Sequence, residues 1–148
     1  MIDRFLKCLN KHKGKKIFLI AHSMGSIIVQ DALIEYLPEA DIDTYVTIGS
    51  PLGQKYVINK YQFEIEQNLK NKLVVPEQII NKWYNLFDKE DQVALNHQLT
   101  NLYKINSRKV NIEDQIVKNL FTSGGVRNPH KSYGYLRTPE CSKIINSF

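Results

Sequence analysis

The sequence is short of cysteine, of long apolar runs and of the spacers that separate domains. Its two cysteines, Cys8 and Cys141, lie near opposite ends and form no metal-ligand spacing. That excludes a zinc module or a disulfide-rich scaffold; two reduced thiols are expected, with one bridge as the alternative. No apolar run approaches the ~20 residues of a membrane-spanning helix. The opening stretch, MIDRFLKCLNKHKGKK, has no apolar core of signal-peptide length. There is no internal repeat and no low-complexity linker. RNP, zinc-finger and helix-turn-helix signatures are also missing, which argues against nucleic acid as a partner. The expectation is a soluble, cytoplasmic protein without a transmembrane segment, folded as one domain over residues 1–148.

What is present suits a folded domain. The 148 residues are 43% hydrophobic and 24% charged, enough for a core and unlike a disordered chain. Lys and Arg outnumber Asp and Glu by 20 to 15, leaving +5. The basic residues are scattered or in short clusters such as Lys11, Lys13, Lys15 and Lys16. They read as solvated surface, with weak attraction to anionic membranes or polyanions as the alternative.

Ile2, Phe5, Leu6 and Leu9 recur at helical spacing, so residues 2–12 read as an amphipathic helix ended by Gly14. KIFLIA, 16–21, is short and continuously apolar, as a strand covered on both faces should be. From Gly25 the period becomes helical through Ile27, Ile28, Ala32, Leu33 and Tyr36 until Pro38. TYVTIG, 44–49, is a second strand, closed by Ser50-Pro51-Leu52-Gly53. Strand, helix and strand with short connections make a βαβ unit with parallel strands. Further strands are predicted at 82–88 and within 110–118, and a helix over Gln92 to Leu102. A Gly124-Gly125 turn and a C-terminal helix follow. The fold class is α/β, a three-layer arrangement with a mostly parallel sheet and flanking helices.

Within IFLIAHSMGS, 17–26, Ser23 falls where a buried strand gives way to a helix. A tight turn there lifts the hydroxyl clear of the sheet edge, in strained backbone angles, and requires small neighbours two residues away: Ala21 and Gly25. The following helix directs free N–H groups and its positive dipole end at the site, which suits an oxyanion. The pattern is that of a nucleophile elbow, G-x-S-x-G with alanine in place of the first glycine. A serine N-cap is the plainer alternative.

The chain resembles the α/β-hydrolase superfamily, its lipase-like and esterase-like members in particular. The segments that carry this are IFLIAHSMGS, VTIGSPLG, WYNLFDKEDQVA and NPHKSYGYL, in that order. The resemblance implies a nucleophile, an acid and a histidine in chain order. Ser23 is the expected nucleophile. Of the carboxylates after the third strand, Asp91, followed by Gln92-Val93, fits the acid better than Asp88. His130 stands where the family places its base; His97 is a lesser candidate, and His12 reads as solvated. His22 is expected beside the pocket as a supporting residue, with Pro51 and Leu52 lining it. The backbone N–H of Met24 is the expected oxyanion donor. Such a site performs acyl transfer on an ester or lipid-like small molecule and needs no cofactor or metal.

The resemblance covers a partial α/β-hydrolase fold, lacking the N-terminal strands and the loop that supplies a second oxyanion donor. The alternative function is therefore a catalytically incomplete fragment, or half of a split enzyme, acting as an interaction module. Its partner would be a complementary N-terminal chain or a second copy in a homo-oligomer, covering an otherwise open elbow strand. Residues 54–82 carry Val57, Ile58, Tyr61, Phe63, Ile65 and Leu69, and read either as a crossover helix or as a lid and acyl-binding wall.

Overall fold

The computed structural model describes residues 1–36, 38–66, 73–95 and 98–148. In chain order its elements are α1 (Ile2–Lys11), β1 (Phe18–His22), α2 (Met24–Glu35), β2 (Ile42–Ile48), α3 (Lys55–Glu66) and β3 (Leu73–Val74). There follow β4 (Ile79–Phe87), β5 (Tyr103–Lys104), β6 (Ile112–Ile116), β7 (Thr122–Ser123), β8 (Val126–Arg127), α4 (Ser132–Leu136) and α5 (Pro139–Asn146).

Four strands form one parallel sheet in the order β1-β2-β4-β6. Parallel neighbours need long crossovers, and α2 supplies the one between β1 and β2. Side chains alternate across each strand, so the sheet presents two apolar faces. On one face Ala21, Tyr45, Trp83 and Ile112 pack with Leu9 of α1, Val29 and Leu33 of α2, and Val57, Ile58 and Tyr61 of α3. On the other, Val46, Ile48, Tyr84 and Leu86 pack with Tyr135 of α4 and with Cys141 and Ile144 of α5. These are the three layers expected for an α/β protein. Both cysteines are free thiols, Cys8 exposed and Cys141 buried.

A buried polar chain crosses the first face toward the carboxyl ends of the strands. The Trp83 indole N–H donates to Thr47 Oγ1 at 3.2 Å, Thr47 donates to Asn85 Oδ1 at 2.9 Å, and Asn85 Nδ2 donates to Asp114 at 2.8 Å. Asp114 then accepts from the backbone N–H groups of Leu99 and Thr100. This explains a departure from the expected helix over Gln92 to Leu102. The described part is instead a turn after Asp91, whose Oδ1 accepts from Val93 N–H, and a single 3₁₀ turn, Leu99–Asn101. The Asp114 carboxylate takes the Leu99 and Thr100 backbone donors that a helix would have used. His97 lies outside the described residues.

The stretch after β2 resolves in favour of a crossover helix over residues 55–66, since Val57, Ile58 and Tyr61 are buried against the sheet. Leu69 lies outside the described residues, and the side chain of Ile65 is likewise not described. The third strand begins three residues before the expected Lys82, and the short β3–β5 pair has no counterpart in the sequence reading. The Gly124-Gly125 turn joins β7 and β8 as an antiparallel hairpin, both glycines having positive φ. Among the described residues no helix is long and apolar enough to cross a membrane.

Candidate active site

Ser23 sits between the last residue of β1 and the first of α2 with φ 53° and ψ −130°. A non-glycine residue there is strained by roughly 1–3 kcal/mol and persists only where its surroundings fix it. The fixing groups are visible. Ser23 N–H donates to Ile48 O at 3.2 Å, tying the turn to β2. Ser26 Oγ donates to Ser23 O at 2.6 Å and lies 2.7 Å from Ser50 Oγ, which in turn accepts from Leu52 N–H at 3.2 Å. Because the single Ser26 proton goes to Ser23 O, Ser50 must be the donor to Ser26. Every hydroxyl proton in this buried chain therefore has one assigned partner.

Ser26 carries no functional signal in the sequence, and Ser50 stands out there only within the Ser50-Pro51-Leu52-Gly53 turn, yet both hold the elbow. The expected crowding at Gly25 is corrected: a Cβ there would meet nothing within 4 Å outside its chain neighbours and its own helix backbone. That glycine is half-buried. The tight approach occurs at Gly49, φ +54°, where a Cβ would lie 2.8 Å from Asp91 Oδ2, 3.0 Å from Tyr135 Cε2 and 3.3 Å from His130 Nδ1.

The structure brings Ser23, Asp91 and His130 together at the carboxyl rim of the sheet. His130 Nε2 lies 2.9 Å from Ser23 Oγ, and Nδ1 lies 2.9 and 3.0 Å from the two Asp91 oxygens. A carboxylate accepts only, so Nδ1 carries the ring proton and Nε2 presents its lone pair to the serine hydroxyl. Asp91 is 1% exposed and also accepts from Tyr135 Oη at 2.7 Å. The same phenol accepts from Asp88 N–H at 3.0 Å. Burial, reinforced by the Asp91 carboxylate, pushes the Tyr135 phenol well above its ordinary range, so it remains a donor.

Asp88 is occupied elsewhere. Its carboxylate accepts from Glu90 N–H at 2.9 Å and Asn119 N–H at 2.7 Å, and pairs with the Arg127 guanidinium at 2.5 Å. Arg127 also pairs with Glu90 and donates from Nε to Asn119 O at 2.8 Å. Asn119 Nδ2 donates at 2.8 Å to the carbonyls of Pro129 and Lys131, on either side of His130. The loop that presents His130 is thus pinned through Asn119 and Arg127 to Asp88.

His22 stands against His130. Its Nε2–H donates to His130 O at 2.8 Å, and the two rings stack at 4.7 Å between centroids. Pro51 and Leu52 are both buried, and Leu52, 0% exposed, belongs to the core beside α3. Met24 is the first residue of α2, so its N–H has no intrahelical acceptor and, with the helix dipole, makes the turn electropositive. Among the described residues no cluster of histidine, cysteine and carboxylate side chains could hold a metal ion.

Burial of the His22 ring lowers its pKa from the ordinary value, outweighing the hydrogen bond to His130 O. The unfolded chain therefore binds this proton more readily than the folded one near the ordinary value of about 6.5. The His22 contribution to stability is complete above that pH and is lost as pH falls through it. His22→Gln, which keeps an amide donor but does not titrate, should flatten that part of the stability–pH curve. Urea midpoints measured from neutral to mildly acidic pH would check it; identical slopes for both proteins would refute it.

Comparison with known proteins gives two positive results. A model of the PGAP1-like alpha/beta domain matches residues 1–132. A protein of Saccharomyces cerevisiae described as a probable mitochondrial phospholipase is 30% identical over 98 residues. The alignment covers 62% of this chain but only 14% of that protein. No solved structure matches significantly. The match over most of the chain and the parallel α/β sheet agree: the chain belongs to the family of PGAP1-like alpha/beta domains, within the α/β-hydrolase superfamily.

Proposed function

We propose that this chain is a serine hydrolase that cleaves carboxylic esters of lipids, phospholipid acyl esters in particular, through an acyl-serine intermediate. The observation that carries the reading is the continuous Ser23–His130–Asp91 hydrogen-bond chain ending on a strained serine at a helix N-terminus. A serine hydroxyl is a weak nucleophile near neutrality and needs a base within reach. His130 Nε2 takes the proton as Ser23 Oγ attacks the ester carbonyl. The Met24 N–H and the dipole of α2 face the developing oxyanion. His130 then returns the proton to the departing alcohol, and water repeats the cycle on the acyl-serine. Asp91 holds the ring in the tautomer that leaves Nε2 free, and stabilises its charged form. Membership of the hydrolase family and similarity to a probable phospholipase support a lipid ester as substrate.

One observation favours a second reading, an incomplete hydrolase unit that works as an interaction module: among the described residues β1, which carries the elbow, pairs with β2 alone and lies at the sheet edge. A fluorophosphonate probe separates the two. The wild-type chain should be labelled, and Ser23→Ala should not be, with the modified peptide containing Ser23. An unlabelled wild-type chain would favour the second reading, and label that persists in Ser23→Ala would overturn the first.

A further inference from the structure

The segment 116–138 has an unusual balance of side chains. It contains four cations, Lys118, Arg127, Lys131 and Arg137, and no Asp or Glu. Arg127 is consumed by Asp88 and Glu90. The other three are exposed and stand among large apolar side chains turned outward: Leu120 is 66% exposed, Val126 71% and Tyr133 61%.

These side chains are contiguous. The rings of Phe121 and Tyr133 lie 6.3 Å apart, and the Lys131 ammonium lies 5.4 Å over the Tyr133 ring. Ser123 pairs with Val126, and Asn128 N–H donates to Phe121 O. With the period of two of a strand, Phe121 and Val126 share one hairpin face, while Arg127 on the other turns to Asp88. A cavity of about 220 Å³ opens between Lys118 and Arg137, over Leu120, Phe121 and Gly134. Lys131 and Tyr133 directly follow His130 in the chain, and Asn119 of the same segment pins the His130 loop through the carbonyls of Pro129 and Lys131.

We propose that this face docks on the surface of an anionic phospholipid bilayer, with Leu120, Val126 and Tyr133 entering the interface and Lys118, Lys131 and Arg137 meeting phosphates. The proposal deepens the lipid-ester reading and rests on it: docking here would bring the carboxyl rim of the sheet, with Ser23, against its substrate. Apolar side chains interleaved with cations, the adjoining carboxylates Asp88 and Glu90 being paired with Arg127, suit an interface that is greasy below and negative above. A second copy suits it less, because a two-fold contact would set the same three cations against themselves.

The test uses the full chain carrying Ser23→Ala, so that vesicles are not consumed, in sedimentation with lipid vesicles at low salt. Binding to phosphatidylcholine vesicles containing phosphatidylglycerol is expected, and much weaker binding to phosphatidylcholine alone. Lys118→Ala and Arg137→Ala should each weaken it about fivefold, the effect of one cation near an anionic surface. Leu120→Glu with Val126→Glu should abolish it while circular dichroism and thermal unfolding stay as in the parent. No binding to either vesicle, or binding untouched by the double substitution, would overturn the proposal. So would a dimer in sedimentation equilibrium that the double substitution dissolves without any vesicle binding. The two readings fail separately: fluorophosphonate labelling without vesicle binding sinks only the surface, and vesicle binding without labelling sinks only the hydrolase.

Discussion

Asp91→Asn should lower kcat for a soluble ester by about 10⁴-fold with little change in KM, the loss typical when the orienting carboxylate of such a chain becomes an amide. Asp91 accepts three donors at once: His130 Nδ1–H, Tyr135 Oη–H and Val93 N–H. Asparagine has one acceptor oxygen. Val93 N–H donates to Oδ1 and Tyr135 Oη–H to Oδ2, so one oxygen cannot keep both. If it stays with the Val93 N–H, the new NH₂ group takes the Oδ2 position, 2.9 Å from His130 Nδ1, which must then accept. The ring proton moves to Nε2, and the lone pair that faced Ser23 is gone. Asp88→Asn makes the contrast. It removes the charge that pairs with Arg127 but leaves His130 and Asp91 in contact. Loss of one partner of a fully buried pair costs roughly 3–5 kcal/mol. The Arg127 side chain is partly exposed, so water takes up some of its lost pairing and the cost here falls below that range. Thermal unfolding should therefore shift downward in Asp88→Asn, and single-turnover acylation rates should fall in Asp91→Asn. The reverse pattern would transfer the role of acid to Asp88.

The features legible in the sequence are those set by local rules. The continuous apolar run 17–21 marks β1, which has apolar neighbours on both faces of the sheet although it lies at the edge of the described strands. The juxtaposition of Ser23 with Asp91 and His130 could be inferred only through chain order in a known superfamily, since 107 residues separate Ser23 from His130. The groups that hold those three in place left no such trace. Tyr135 reaches Asp91 across 44 positions, and Asn119 reaches Asp88 across 31. Each reads locally as an ordinary tyrosine in a short helix or an asparagine in a loop. The helix expected over Gln92 to Leu102 failed for the same reason: its competitor, the Asp114 carboxylate, sits on β6, a strand distant in sequence. Small-residue logic was correct in kind but misplaced. It demanded Gly25, where there is room, and passed over Gly49, whose positive φ and lack of a side chain are both used.

Gly49→Ala should consequently be among the most damaging single-methyl additions in the protein. A left-handed φ costs an alanine roughly 1 kcal/mol, which by itself would lower stability and leave turnover nearly intact. The larger effect is steric. The new methyl would lie 2.8 Å from Asp91 Oδ2 and 3.3 Å from His130 Nδ1, between the two groups that must stay in register with Ser23. Neither can retreat easily: Asp91 is buried under Tyr135, and His130 is held by His22 and the Asn119-pinned loop. Displacement of about 1 Å in such a chain costs on the order of 10²-fold in rate, so kcat should fall at least that far with KM nearly unchanged. A second substitution at the same position, Gly49→Asn, separates the two causes, because asparagine tolerates positive φ yet carries the same Cβ. Strain alone predicts that Gly49→Asn recovers most of the lost activity. The geometry around Asp91 and His130 predicts that it is as slow as Gly49→Ala, even where its melting temperature is higher.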